Sequence, residues 1–146
     1  MANPCTSKLW QSIEPNPKQG EKVFNFEKKA VNKLMKIIKD GDESTLVEDI
    51  IQVAIDNMVT IDGSLASDAI KKASLLTDDK SSRKVEEAQK EMDKASEEIS
   101  KGNFDNAINH YKNAWKKAQE ALTKQEKEQE KQNDKQEKEQ EKEDDK

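Results

Sequence analysis

Apolar residues recur at three- and four-residue steps through most of this chain, the spacing that places side chains on one face of an α-helix. The first such segment predicts a helix over about residues 26–40, with Asn25 as its N-cap and Gly41 in the left-handed conformation that ends a helix. Its apolar face comprises Ala30, Val31, Leu34, Met35 and Ile38. Lysines occupy most of the remaining surface, which we interpret as a solvated face.

The second segment begins at a capping-box pattern, in which Thr45 and Glu48 can satisfy each other's backbone N–H groups. Two apolar stripes follow, with Val47, Ile51, Ala54, Met58, Ile61 and Leu65 in one and Ile50, Ile55, Val59, Ala66 and Ile70 in the other. Gly63 interrupts them, but the spacing stays in phase across it, so one unbroken helix over residues 45–75 is expected. Because so broad an apolar surface needs two neighbours, we place this helix at the centre of a bundle.

Two more segments predict a terminal helical hairpin. The first follows a polar loop at residues 77–82, alternates large and small apolar residues, and ends at Gly102. These residues are Val85, Ala88, Met92, Ala95 and Ile99, and the second helix, over about residues 104–122, carries Phe104, Ile108, Tyr111, Trp115, Ala118 and Leu122. Large side chains opposite small ones pack closely, so Trp115 is expected to be buried against Ala88, Met92 or Ala95. The alternative is that Trp115 and Tyr111 bind a partner.

The two ends of the chain depart from this pattern. Residues 1–22 contain all three prolines and predict an extended leader, in which Trp10 either covers the bundle as a lid or forms an exposed anchor for a partner. Residues 123–146 contain no apolar side chain and repeat the sequence of 125–131 at 136–142. This low-complexity Gln/Glu/Lys tail is expected to be disordered, with fluctuating helicity, and dispensable for folding. The helical bundle is therefore assigned to residues 23–122.

Composition supports one fold class. Four glycines, three prolines and 4% aromatic residues are too few turn- and strand-forming residues for a β-sheet protein. We therefore predict an all-α protein, an antiparallel helical bundle of about four helices with a disordered charged C-terminal tail. From Lys124 onwards the tail has seven lysines and ten acidic residues, so it contributes −3 of the net charge of −5 and leaves −2 for the body. Such a body offers no basic field for nucleic acid.

Residue types that perform catalysis or bind metals are scarce. His110 is the only histidine and Cys5 the only cysteine, which excludes zinc sites that take three or four such ligands from one chain. No serine or cysteine lies beside His110 in the sequence, so we assign it a surface or packing role. The acidic residues around Gly41 lack the spacing of a calcium loop; they are Asp40, Asp42 and Glu43.

Adjacent carboxylates are present but lack an apolar pocket that would raise a pKa, as general-acid catalysis requires. These pairs are Asp78-Asp79, Glu86-Glu87 and Glu97-Glu98. We therefore expect no enzyme activity, no cofactor, and no catalytic, cofactor-binding or metal-binding residues. Partner-binding residues are left unassigned.

Residues 84–118 resemble a single tetratricopeptide repeat, which is a hairpin of two helices. The matching positions are Gly102, Phe104, Ala107, Ile108, Tyr111 and Ala114, with Ala95 in the preceding helix. Glu91 and Lys94 stand where the repeat has large apolar residues, Gln119 replaces its closing proline, and no second copy occurs. The resemblance implies the geometry of the hairpin, whereas the stacked peptide-binding surface of a repeat array is not expected.

A broader resemblance, over residues 16–118, is to a helical module at the ends of larger secreted archaeal and bacterial proteins. It rests on Asn16-Pro17-Lys18-Gln19-Gly20-Glu21-Lys22, Lys28-Lys29-Ala30-Val31, Leu65-Ala66 with Ala69-Ile70, and His110-Tyr111-Lys112 with Ala114-Trp115. This resemblance implies a fold rather than an activity. It would place a processed or excised domain outside the cell. The chain as written has no signal-peptide core and no membrane span, which instead indicates the cytoplasm.

These observations favour a non-catalytic helical protein-interaction or structural module. Its expected partner is another protein, and its tail would act as a spacer or tether. The alternative is an appended domain that mediates surface attachment or assembly of a secreted protein. The sequence leaves the oligomeric state open, because apolar seams that close a bundle within one chain would equally close a dimer.

Overall fold

A computed structural model describes residues 9–11, 14–41 and 44–144, with side chains described up to Gln125 and at 127 and 130–133. Its four helices are α1 (Glu21–Asp40), α2 (Thr45–Ala73), α3 (Asp79–Ser100) and α4 (Phe104–Asp144). Two short strands precede them, β1 (Trp10–Gln11) and β2 (Glu14–Pro15), which pair antiparallel with Trp10 opposite Pro15. The predicted all-α bundle of four helices is confirmed.

Helix α4 is the centre of the bundle. It packs extensively against each of the other three helices, whereas α2 makes far fewer contacts with α1 and α3. The largest apolar side chains of the core are Phe24, Val31, Ile55, Val59, Ile70, Ile108, Tyr111 and Trp115. The prediction that the second helix is central is wrong, because part of its broad apolar surface faces solvent instead of a neighbouring helix.

Trp115 is buried as predicted, with 3% of its surface exposed. Its ring packs against Phe24 of α1, with centroids 5.7 Å apart and planes tilted by 45°. The leader closes over the same place, since a Cβ added at Gly20 would lie 2.9 Å from Cη2 of Trp115 and 2.5 Å from Cβ of Pro15. Glycine at this position therefore allows the leader to approach the core closely. Trp10 is only partly buried.

The predicted caps of the first two helices are wrong. Helix α1 starts at Glu21, and Asn25 lies inside it, where its Oδ1 accepts a hydrogen bond from Nζ of Lys112 at 3.1 Å. Gly41 has φ −83° and ψ 144°, an extended conformation rather than a left-handed one. Ser44, not Thr45, occupies the N-cap of α2, and its backbone carbonyl accepts from the N–H groups of Val47 and Glu48.

Two predicted features of the backbone are confirmed. Helix α2 continues unbroken through Gly63, and a Cβ there would lie only 3.0 Å from Cζ of Tyr111, so this glycine brings α2 and α4 close together. Gly102 has φ +76°, the left-handed conformation that reverses the chain between α3 and α4. Asp78 caps α3 by accepting from the backbone N–H groups of Lys80 and Ser81.

The backbone of α4 continues past the predicted end of the bundle, through Asp144. Lys124 forms an ion pair with Asp78 at 3.8 Å, so the first residues after Leu122 still touch the bundle. The predicted disorder of residues 123–146 in solution stays a prediction.

Candidate interaction surface

The outer face of α2 carries a row of exposed apolar side chains, which we call the α2 stripe. Its members are Leu46, Ile50, Val53 and Ile61, whose exposed fractions are 69%, 62%, 59% and 50%. Steps of four, three and eight residues keep them on one side of the helix, over a length of about 22 Å. Most exposed apolar side chains of proteins are scattered singly, so a row in helical register marks a candidate interaction surface.

The stripe exists because α2 has more apolar residues than its contacts with the bundle require. The side that packs inward carries Ile55, Val59, Ala66, Ala69, Ile70 and Ala73. The first turns of the helix, before Ile55, contain no fully buried residue. Leu46, Ile50 and Val53 are therefore left uncovered, and Ile61 continues the same row alongside the part of the helix that is packed.

The charges beside the stripe have one sign. Between Thr45 and Ile70 there is no lysine or arginine, whereas four carboxylates reach the surface, Glu48, Asp49, Asp56 and Asp68. Asp49 and Asp56 are exposed on the flank of the stripe. Within the described part of the chain, neither forms an ion pair, and Asp56 only accepts a hydrogen bond from Gln52 at 2.8 Å. The stripe therefore lies in a locally acidic field.

His110, to which the sequence analysis assigns a surface or packing role, contacts a carboxylate from the facing helix. Its Nδ1 lies 2.8 Å from Oε2 of Glu91, and Asn113 and Lys94 also donate hydrogen bonds to Glu91. Burial disfavours the charged form of Glu91, but these hydrogen bonds outweigh burial and lower its pKa to about 2. The cluster joins α3 to α4.

A second carboxylate cluster lies inside the bundle. Asp62 is completely buried on α2, and no donor among the described residues reaches either of its oxygens or Oε2 of Glu27 on α1. Burial, together with the nearby carboxyl group of Glu27, raises the pKa of Asp62 to about 10. Asp62 therefore keeps its proton in the folded chain at neutral pH. Burial and the nearby Asp62 also raise the pKa of Tyr111.

One member of each carboxylate pair noted in the sequence has a cationic or backbone partner on the bundle surface. Glu87 contacts Nζ of Lys117 at 2.6 Å, and Glu98 contacts Nζ of Lys101 at 2.8 Å, while Asp78 caps α3. Among the described residues, no three or more His, Cys, Asp or Glu side chains come together in a way that could hold a metal ion. Cys5, Asp42 and Glu43 lie outside the described residues.

The spacing of apolar residues alone does not reveal the α2 stripe. It places Ile50 and Ile61 in the two predicted apolar stripes and leaves Leu46 and Val53 outside both. The signal in the sequence is the large number of apolar residues on α2. They lie on three sides of the helix, and one neighbouring helix can cover only one side. None of the helices in the described residues is both long enough and apolar enough to cross a membrane.

No protein-family model, no curated protein and no solved structure matches this chain.

Proposed function

We propose that this protein is a non-catalytic helical interaction module that binds another protein through the α2 stripe. The observation that carries the proposal is the exposure of Leu46, Ile50, Val53 and Ile61 in one helical row. Fully burying one such side chain is worth about 1.5–3 kcal/mol. Covering the remaining exposed area of the four side chains would therefore contribute to association, against the cost of bringing two molecules together.

The spacing of the stripe determines the kind of contact. Apolar residues at steps of four and three along a helix are the pattern by which one helix packs along another or into an apolar groove. The exposed Asp49 and Asp56 border the row, as expected for the rim of an interface, and the polar Asn57 lies within it between Val53 and Ile61.

In this proposal the hairpin of α3 and α4 serves as a rigid support. Its likeness to one tetratricopeptide repeat concerns geometry alone. Two features make the hairpin rigid: the buried alanines let its helices approach closely, and Glu91 contacts His110 across them. The binding surface lies instead on α2, which is outside the repeat-like segment.

A site-specific photo-crosslinker tests the proposal in cells that produce the protein. The crosslinking side chain replaces Asn57, within the stripe, and in a matched control it replaces the exposed Lys90 on α3. We expect a discrete adduct, identified by mass spectrometry, at Asn57 and none of comparable yield at Lys90. Adding Ile50→Lys should remove the adduct, because it places a charge within the apolar contact.

The proposal would be wrong if the adducts at Asn57 and Lys90 were equally weak, or if the adduct at Asn57 survived Ile50→Lys. Circular dichroism of the purified variant separates loss of binding from loss of fold. Because Ile50 is mostly exposed, its replacement should leave the helical signal unchanged.

A further inference from the structure

We propose that the occupant of the α2 stripe is a second copy of this chain, whose α1 lies along the stripe while its own stripe receives α1 of the first. This inference rests on the proposed function and identifies the partner. In a two-fold dimer the same contact occurs twice, since each copy supplies both surfaces.

The outer face of α1 combines apolar side chains with the positive charges that the stripe lacks. It exposes two large apolar side chains, Phe26 at 60% and Ile37 at 45%. Between them lie the exposed lysines Lys29, Lys33 and Lys36. Residues 26–37 span about 16 Å of helix, which fits within the stripe's length. This face is thus apolar and basic, whereas the stripe is apolar and acidic.

These opposite charges do not pair with each other within the described part of the chain. Among the described residues, no ion pair joins α1 to α2, and none involves Lys29, Lys33 or Asp49. Elsewhere the bundle pairs its charges across helices, as in Lys84 with Glu120 at 2.8 Å and Lys116 with Glu21 at 2.7 Å. Lys36 pairs with Asp40 of its own helix at 4.0 Å, so the outer faces of α1 and α2 carry complementary charges that do not pair with each other among the described residues.

Neither face is covered by the residues that the structure describes. Helices α1 and α2 turn their inner sides toward α4, where Val31 and Ile55 are completely buried. Their outer sides hold the exposed residues named above. Charge complementarity between two such surfaces favours one orientation and one partner, and apolar contact supplies the affinity.

Sedimentation velocity of the full chain tests the inference. Between about 5 and 500 µM, we expect the mass to rise from one chain toward two, and about 500 mM NaCl should weaken association. Ile50→Lys should leave a monomer at every concentration. Leu75→Lys, a matched change at another exposed apolar residue outside the stripe, should behave like wild type.

Charge reversal tests the pairing of α1 with α2. One variant carries Lys29→Glu and Lys33→Glu, and the other carries Asp49→Lys and Asp56→Lys. Each alone should be monomeric, because like charges then face each other in both contacts of the dimer. An equimolar mixture should form a heterodimer, since both contacts again join opposite charges. Lys80→Glu with Lys90→Glu on α3 is the control of equal charge change and should dimerise normally.

A chain that stays monomeric over the whole concentration range would overturn the inference. So would a dimer that survives Ile50→Lys, or reversed variants that fail to associate when mixed while circular dichroism shows both folded. A monomer that still gives the stripe-dependent adduct with a different protein would overturn the second-copy inference and leave the proposed function standing. A chain that is monomeric and also gives no stripe-dependent adduct would overturn both the second-copy inference and the proposed function.

Discussion

The α3–α4 hairpin and the outer face of α2 are both built from apolar residues in helical register, yet one is closed and the other open. In the hairpin, Ala88 and Ala95 of α3 are completely buried, as are Ala114 and Ala118 of α4, so the two helices lie close together. On α2, Leu46 is 69% exposed. The difference lies in whether a second surface of matching shape is available in the same chain.

The charges around the two regions differ in the same way. Across the hairpin, Lys117 pairs with Glu87 at 2.6 Å, so cation and anion come from opposite helices. Along α2, carboxylates occur from Thr45 to Ile70 without a lysine or arginine among them. A closed interface contains charges of both signs. The open face of α2 carries only negative charges, and a partner would supply the positive ones. Periodicity locates an apolar face, and the charges beside it indicate whether that face is already covered.

The largest expected effect contrasts the two regions directly. Trp115→Ala should lower the free energy of unfolding by about 3–5 kcal/mol, the usual loss for truncating a large buried aromatic residue. Ile50→Ala, on the open face, should change it by less than about 0.5 kcal/mol in dilute protein. Urea denaturation followed by circular dichroism measures both. Comparable losses for the two variants would contradict the distinction between closed and open faces.

The next effect contrasts the inner and outer sides of α2. Asp62 has a pKa of about 10 in the folded chain against 3.8 in the unfolded chain, so the folded state binds more protons between these values. Stability therefore falls as the pH rises from about 4 towards about 10. Asp62→Asn should stabilise the protein by about 1–4 kcal/mol at pH 7 and flatten this dependence.

The matched control is Asp56→Asn, which removes an exposed carboxylate from the same helix and should change stability by less than about 0.5 kcal/mol. Denaturation at several pH values compares the two variants. A destabilised Asp62→Asn would show that the buried group is needed as an ionised carboxylate with an unidentified partner.

The smallest effect concerns Gly63, where α2 meets α4. Replacing a helix-interior glycine with alanine usually gains about 1 kcal/mol, but a Cβ here would lie 3.0 Å from Cζ of Tyr111. We expect Gly63→Ala to change stability by less than about 1 kcal/mol, because the two effects oppose each other. In a Tyr111→Leu background the gain should be larger. A thermal denaturation cycle of the four proteins measures it, and an identical gain in both backgrounds would mean that the contact is unimportant.

The sequence predicted the elements that depend on local chemistry. The helical hairpin with its left-handed Gly102, the continuity of α2 through Gly63 and the burial of Trp115 all follow from spacing and from the properties of glycine. Caps were less predictable, because they depend on the preceding turn. The backbone carbonyl of Asn16 accepts hydrogen bonds from the N–H groups of Gln19 and Gly20. Because this turn leads directly into α1, the helix begins before Asn25.

Contacts between distant segments could not be predicted from periodicity. The pairing of Glu91 with His110 joins helices across the hairpin, and the packing of Phe24 on Trp115 joins α1 to α4. The α2 stripe was missed for a related reason. Spacing shows that Ile50 shares a face with its neighbours, but only the packed structure shows that nothing in the described chain covers that face.

Carbene footprinting, which labels exposed aliphatic side chains, tests the central claim that the α2 stripe is an occupied binding surface. The label is compared between dilute purified protein and concentrated extract of the cells that produce it, with Leu75, 80% exposed and outside the stripe, as the internal reference. We predict strong labelling of Leu46, Ile50 and Val53 in dilute protein and at least about a threefold loss relative to Leu75 in the extract. Equal labelling of the stripe and Leu75 in both samples would contradict the account, because the apolar row would then have no partner at native concentration.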